Sequence, residues 1–167
     1  MRDDAFVLRH GTPGDIEPWM ALVLRVRGAF PGLETPELLA EHRRTVLRFM
    51  TEGRALCVSA GETVAAVLLF PRKHNMICCL AVAPEYRRQG LASALLEAAL
   101  GELDSSRDIT VTTYREEDPH GPAARALYQR FGFLPGELRE EFGSPMQEFV
   151  RRGEREWEIA VGEIEKK

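Results

Sequence analysis

Apolar residues recur along this chain with two periods, and the switches between them mark out its elements. Phe6-Val7-Leu8-Arg9 reads as a short first strand. Thr12-Pro13-Gly14-Asp15 then supplies a capping hydroxyl, a proline at the first helical position and an acid three residues after the cap. The helix that follows sets Ile16, Met20, Val23 and Arg27 on one stripe, flanked by Trp19 and Val26, and is expected to stop near Gly28. A loop with two exposed apolar residues, Phe30 and Leu33, leads to a second start signal at Thr35-Pro36-Glu37. Its helix turns Leu39, His42, Val46 and Phe49 or Met50 inward and ends at Gly53.

The period then changes to that of strands. Residues 55–58 and 64–70 form a hairpin about Ala60-Gly61-Glu62, a turn slightly longer than the minimum. After Pro71–His74 comes an apolar run, Asn75 to Val82, which reads as a buried central strand closed by Pro84. A helix follows with Leu91, Leu95 and Ala98 on one face and Ala92, Leu96, Ala99 and Leu103 beside them, ending near Gly101. Residues 109–114 are β-branched and strand-forming, and residues 115–121 form a polar loop. Pro122 opens a helix carrying Ala124, Leu127, Tyr128 and Phe131; Gly132 stops it. A last pair of strands begins at Phe133-Leu134, its second member at residues 146–151. The predicted order is β-α-α-β-β-β-α-β-α-β-β. That order implies an α/β (mixed α+β) fold, a mixed sheet of about six to seven strands with helices on both faces. Residues 1–152 read as one domain. In 153–167, Trp157, Ile159, Val161 and Ile164 alternate among charges, as an added strand or an arm onto a partner.

Composition narrows the class. Of 167 residues, 44% are hydrophobic and 29% charged, an ordinary globular balance, and a net charge of −4 argues against nucleic acid as a partner. No apolar run approaches the roughly 20 residues of a membrane helix, and the N-terminus has no signal-peptide core. The three cysteines show neither metal-ligand spacing nor a disulfide framework, so no metal is expected and the compartment reads as reducing cytoplasm. Cys78 and Cys79 are expected to be small buried hydrophobes of the central strand.

Between that strand and its helix lie Arg87-Arg88-Gln89-Gly90-Leu91-Ala92. Two guanidinium groups, a residue without a side chain and the first N–H groups of a helix make a cradle for a pyrophosphate. Strand, V-x-P, paired arginines and Arg87-x-x-Gly90-x-Ala92 resemble the acyl-CoA signature of the GNAT superfamily of N-acyltransferases. The stretch Ala124-Arg-Ala-Leu-Tyr128-Gln-Arg-Phe-Gly132-Phe133 is similar to that family's second signature, A-x-x-L-Y-x-x-x-G-F. The likeness covers about residues 5 to 151, and the element order agrees with the GNAT fold. A P-loop and G-x-G-x-x-G are both lacking, which sets aside a nucleotide-binding α/β domain.

The resemblance implies acetyl transfer from acetyl-CoA to a primary amine on a small molecule, peptide or protein. On this reading the cofactor binds through Arg87, Arg88, Gln89, Gly90, Leu91, Ala92 and Ser93, and through the strand edge at Leu80, Ala81 and Val82. For the pantetheine amides to reach that edge, the strand must splay from its neighbour at Tyr114. Tyr128 corresponds to the family's tyrosine near the cofactor sulfur, the expected general acid toward the departing thiolate. Many relatives carry asparagine seven residues before that tyrosine, where this chain has Gly121. Some use a carboxylate near the position of Met76, which cannot serve. Glu116, Glu117, Asp118, His74 and His120 lie in the same region, and none is singled out as the base. The acceptor groove would have Phe30 and Leu33 on one side and Glu137, Glu140 and Glu141 on the other. An acyl-CoA sensor without turnover is the alternative on the same fold, and a homodimer is left open.

Overall fold

Arg9 and Asp15 tie the first strand to the first helix. The Asp15 carboxylate accepts from both Arg9 Nη atoms (2.8 and 2.9 Å) and from the Thr12 N–H (2.8 Å). In the computed structural model, which describes residues 5–154, β1 (Phe6–His10) thus leads through a 3-10 turn at Pro13–Asp15 into α1 (Ile16–Val26). The predicted stripe holds with one change. Ile16, Trp19, Met20, Leu22, Val23 and Val26 are buried, whereas Arg27 lies beyond the last α-helical turn and is exposed. The loop that follows corrects a second expectation, because Leu33 is buried in the core and Phe30 half-buried against it. At the start of α2 (Pro36–Thr51) the Thr35 hydroxyl accepts from the Leu38 N–H at 3.1 Å. Val46, Phe49 and Met50 face inward, and His42 is half-buried, its imidazole pushed down by that burial.

The hairpin β2 (Ala55–Ala60) and β3 (Thr63–Leu69) is tighter than expected, since Ala60 pairs with Thr63 and only Gly61 and Glu62 lie between them. Residues 64–69 of β3 are buried without a break. A strand is buried on both faces only when both are covered, and α1 and α3 (Leu91–Glu102) both pack on it. The remaining elements are β4 (Met76–Val82), β5 (Ile109–Tyr114), α4 (Gly121–Arg130), β6 (Leu134–Glu141) and β7 (Ser144–Arg151). They complete a seven-stranded sheet in the order β1-β2-β3-β4-β5-β7-β6. All pairs are antiparallel except β4–β5, the parallel pair that α3 connects. The observed order of strands and α-helices is the predicted one. The expected arm or strand in the tail falls, from residue 155 onward, outside the described residues.

Asn75, expected to open the central strand, instead stands before it in left-handed backbone (φ 49°, ψ 55°). It is buried, and its side chain donates to the carbonyls of Asp104 (2.9 Å) and Asp108 (3.0 Å) while accepting from the Asp104 N–H (2.9 Å). One amide thereby fastens the end of the α3 crossover to the start of β4. From that anchor β4 and β5 pair only at Met76–Thr110 and Ile77–Val111. Beyond these pairs β5 stays with β7 through Tyr114–Met146, and β4 stays with β3 through Val82–Ala66. The sheet is therefore split along its middle. Among the described strands none covers the β5-facing edge of β4 from Cys78 to Val82.

Candidate active site

The split explains why β4 is only half-buried apart from Ile77, contrary to the buried strand its apolar run predicts. An irregularity adds to it. Leu69 pairs with Cys78 and Val67 with Ala81, so β4 spends one residue more than β3 between those pairs. The extra residue makes a bulge, with Cys79 in left-handed backbone at φ 54°. Cys78 and Cys79 are half-buried and pack against the hydrophobic core.

At its C-terminal end β4 runs through a 3-10 turn at Pro84–Tyr86 into the arginine pair and Gly90, which caps α3. Arg88 (φ 63°) and Gly90 (φ 77°) both adopt left-handed backbone, with Gln89 between them. Alternation of this kind turns successive N–H groups inward as an anion-binding concavity. Among the described residues the N–H groups of residues 88–93 have no acceptor, the first bond of the helix being Ala94 N–H to Gly90 C=O at 3.0 Å. A Cβ built on Gly90 meets no atom within 4 Å, so the space beside it is open. Arg87 and Arg88 are exposed and form no ion pair among the described residues. Leu80, Ala81, Val82, Ala92 and Ser93 are half-buried around the cleft, and Leu91 anchors the helix in the core.

Tyr128 projects from α4 and is 5% exposed, packed on Phe133 (ring centroids 5.7 Å apart) and Phe149 (6.3 Å). Burial, helped by the nearby Cys79 and Cys78 thiols, holds its phenol protonated far above the ordinary tyrosine range. No described group bonds its hydroxyl, yet no buried side-chain oxygen lacks a partner, so that oxygen reaches open space. Arg125, one helical turn earlier, donates to the Tyr114 carbonyl (3.2 Å) and to Gln147 (2.7 Å), with its guanidinium 4.8 Å from the Phe149 ring centre. It fixes α4 to the parted end of β5. Gly121 is dictated by its loop: a Cβ there would lie 2.5 Å from the Arg115 carbonyl oxygen. The backbone path leaves no room for the family's asparagine.

Two contacts that the pattern of apolar residues does not announce hold the α1–α2 loop. Phe142, in the turn between β6 and β7 with φ 51°, lays its ring on Gly32 of the α1–α2 loop. A Cβ at Gly32 would sit 2.7 Å from that ring. The Gly32 N–H is held by both Glu34 oxygens (3.0 and 3.1 Å). Glu34 lies within electrostatic reach of Tyr114, and Glu141 of the Cys78–Cys79 pair. Of the three acids expected along the last strands, only Glu141 is half-buried; Glu137 and Glu140 are exposed. His74, Glu116 and Glu117 are also exposed, while His120 bonds Asp118 (3.0 Å) and stacks on Tyr114 at 5.1 Å.

The described residues thus place a turn of unbonded N–H groups at the end of a partly unpaired strand, with a buried, protonated phenol on the neighbouring helix. A family model described as an acetyltransferase (GNAT) domain matches residues 52–135, which contain β2 to α4 and both signatures. A curated relative, the [ribosomal protein bS18]-alanine N-acetyltransferase of Escherichia coli K12, is 38% identical over 63 residues. That match spans 38% of this chain and 41% of the relative's length. Among solved structures, Ard1 from Thermoplasma volcanium superposes with a TM-score of 0.67 at 17% identity, covering 90% of this chain and 99% of that one. The PaiA N-acetyltransferase of Thermoplasma acidophilum, solved in complex with coenzyme A, gives 0.61 at 14% identity over 89% and 99%. With one family model matching half of the chain, and the parting of β4 and β5 inside the matched half, this protein belongs to the GNAT acetyltransferase family.

Proposed function

We propose that this chain transfers an acetyl group from acetyl-CoA to a primary amine by direct attack. The observation that carries the reading is the parting of β4 and β5 after two residue pairs, immediately before the cradle. The pyrophosphate sits on the N–H groups of residues 88–93, with Arg88 on its oxygens and Arg87 beside the turn. The pantetheine amides add to the free β4 edge at Leu80, Ala81 and Val82 as a missing strand would. This brings the thioester to the bulge at Cys79, below Tyr128.

The amine must be neutral to attack. Glu34 and Glu141 draw a cationic acceptor to that end of the cleft, where its proton passes to water or an acid before attack. The tetrahedral intermediate then expels the CoA thiolate. A phenol held protonated keeps its proton through the attack and gives it up only when that thiolate forms. The desolvation that raises the phenol acts on the thiolate as well, so the two proton affinities stay comparable in the cleft. The relative named for an alanine of a ribosomal protein supports a peptide or protein amine among the acceptors.

The test is release of free CoA thiol from acetyl-CoA with three sets of acceptors: small amines, peptides with a free N-terminal alanine, and N-blocked lysine peptides. Amine-dependent release is expected, together with an acetylated product. Acetyl-CoA bound in calorimetry without release for any acceptor would favour the sensor reading over the enzyme.

A further inference from the structure

The turn between β4 and the arginine pair is held from outside the strand and helix it joins. Its residues, Pro84–Tyr86, carry two side chains with partners elsewhere in the fold. Tyr86 is buried, with the Phe6 ring of β1 edge-on to it at 5.5 Å between centroids. Glu85 is exposed, and its two oxygens accept from the two Nη atoms of Arg25 at 2.8 and 2.5 Å. Arg25 stands in the last turn of α1, 60 residues earlier in the chain. A guanidinium fork on both oxygens of a carboxylate is the most directional form of an ion pair. Both side chains meet solvent (50% and 36% exposed), and exposed pairs add little to stability. What the pair does to the charges beside it matters more. Glu85 precedes Arg88 by three residues, so their Cα atoms are at most about 11 Å apart, and Arg87 is nearer still along the chain. Side chains of this length meet across such a gap, yet Arg87 and Arg88 form no ion pair among the described residues.

We propose that Arg25 is a positioning residue for the cofactor turn, holding the Glu85 carboxylate away from Arg87 and Arg88 so that both guanidinium groups are left to the phosphates of acyl-CoA. The proposal rests on the acyl-CoA reading of that turn. A carboxylate two and three residues from the paired arginines is an anion tethered beside a site meant for another. Released, Glu85 pairs with either arginine and repels the incoming phosphates, whose charge has the same sign. Held in the fork of Arg25, its charge is offset and its oxygens are occupied. Arg25 touches neither cofactor nor acceptor in this scheme and acts through Glu85 alone. It lies outside residues 52–135, which the family model matches, and therefore outside both signatures.

The test is calorimetric binding of acetyl-CoA to the parent, Arg25→Gln, Glu85→Gln and the double variant. It is run at ionic strengths of about 0.01 M and about 0.15 M, where charges are screened over roughly 30 and 8 Å. Circular dichroism and melting report that each variant is folded. Arg25→Gln is expected to weaken binding by about two- to fivefold at the lower ionic strength, the size of one exposed ion pair, and by less at the higher. Glu85→Gln is expected to bind as tightly as the parent or tighter, since it removes the competing charge. The double variant should then regain the parent's affinity, and Arg25→Lys should keep it. Unchanged affinity in Arg25→Gln would overturn the proposal. So would a double variant as weak as Arg25→Gln, because the pair then shapes the turn and disposes of no charge. Glu85→Gln binding more weakly than the parent would overturn it by itself, whatever Arg25→Gln does. Each of these outcomes leaves acetyl-CoA bound to the parent and the acyl-CoA reading standing. A parent that binds no acetyl-CoA would overturn both.

Discussion

Tyr128 is a residue in which packing and chemistry compete. Its ring belongs to the core with Phe133 and Phe149, while no described group bonds its hydroxyl. Tyr128→Phe keeps the ring and removes only the proton donor. We expect single-turnover acetyl transfer to slow by about 10²–10⁴-fold with acetyl-CoA affinity nearly unchanged. A rate within about threefold of the parent would reduce the residue to packing. Asp15 is a residue of stability instead. The Arg9 hydrogen bond, with the Thr12 backbone bond, holds its carboxyl down at about 2, against the cost of burial. A depressed folded-state pKa gives stability that is present above the unfolded value near 3.9 and is lost as pH falls from there through about 2. Arg9 is 38% exposed, so solvent screening limits the pair to about 1 kcal/mol. Asp15→Asn should therefore melt lower than the parent at pH 7, with the gap narrowing toward pH 2; a gap that does not change with pH would rule out the charge as its source.

At the scale of elements, the β4–α3 junction joins a bulged strand to a helix start through two left-handed residues. Gly90 has a reason in each. Its φ of 77° suits a residue without Cβ, and the open space beside it is where the phosphate is proposed to sit. These two reasons can be separated. Asparagine tolerates left-handed backbone and meets no neighbour there, so Gly90→Asn should still bind acetyl-CoA. Gly90→Glu puts an anion in the cradle and should weaken binding by about tenfold or more in calorimetric titration, the size of one charge-assisted contact. Equal affinity for the glutamate variant and the parent would displace the cradle from residues 88–93.

Across the whole molecule, the cleft exists because two half-sheets are joined at only two residue pairs, and Asn75 sets where that junction begins. Asn75→Ala takes the partner from the Asp104 N–H and the Asp108 carbonyl around a buried position, while the Asp104 carbonyl keeps the Arg107 N–H at 3.2 Å. About 1–3 kcal/mol of stability should be lost in urea unfolding, and a smaller loss would mean that water takes the amide's place. The sequence by itself determined the element order, because turn residues and apolar periods act locally. It also determined the strand-to-helix turn at Arg87, Arg88, Gly90 and Ala92, since these are neighbours in the chain and their context is written beside them. Tyr128 was legible for the same reason, inside a contiguous signature. The bulge at Cys79 was not, because the alternation of side chains assumes a regular ladder and only pairing with β3 shows the extra residue. Leu33 looked exposed because burial depends on what packs over a loop. The contact of Phe142 with Gly32 joins residues more than a hundred positions apart, and Glu141 was set apart from Glu137 and Glu140 only by the facing strand. Local rules reach a few residues along the chain. The face each side chain meets is decided by which strands pair and where they part, and that is a property of the tertiary structure alone.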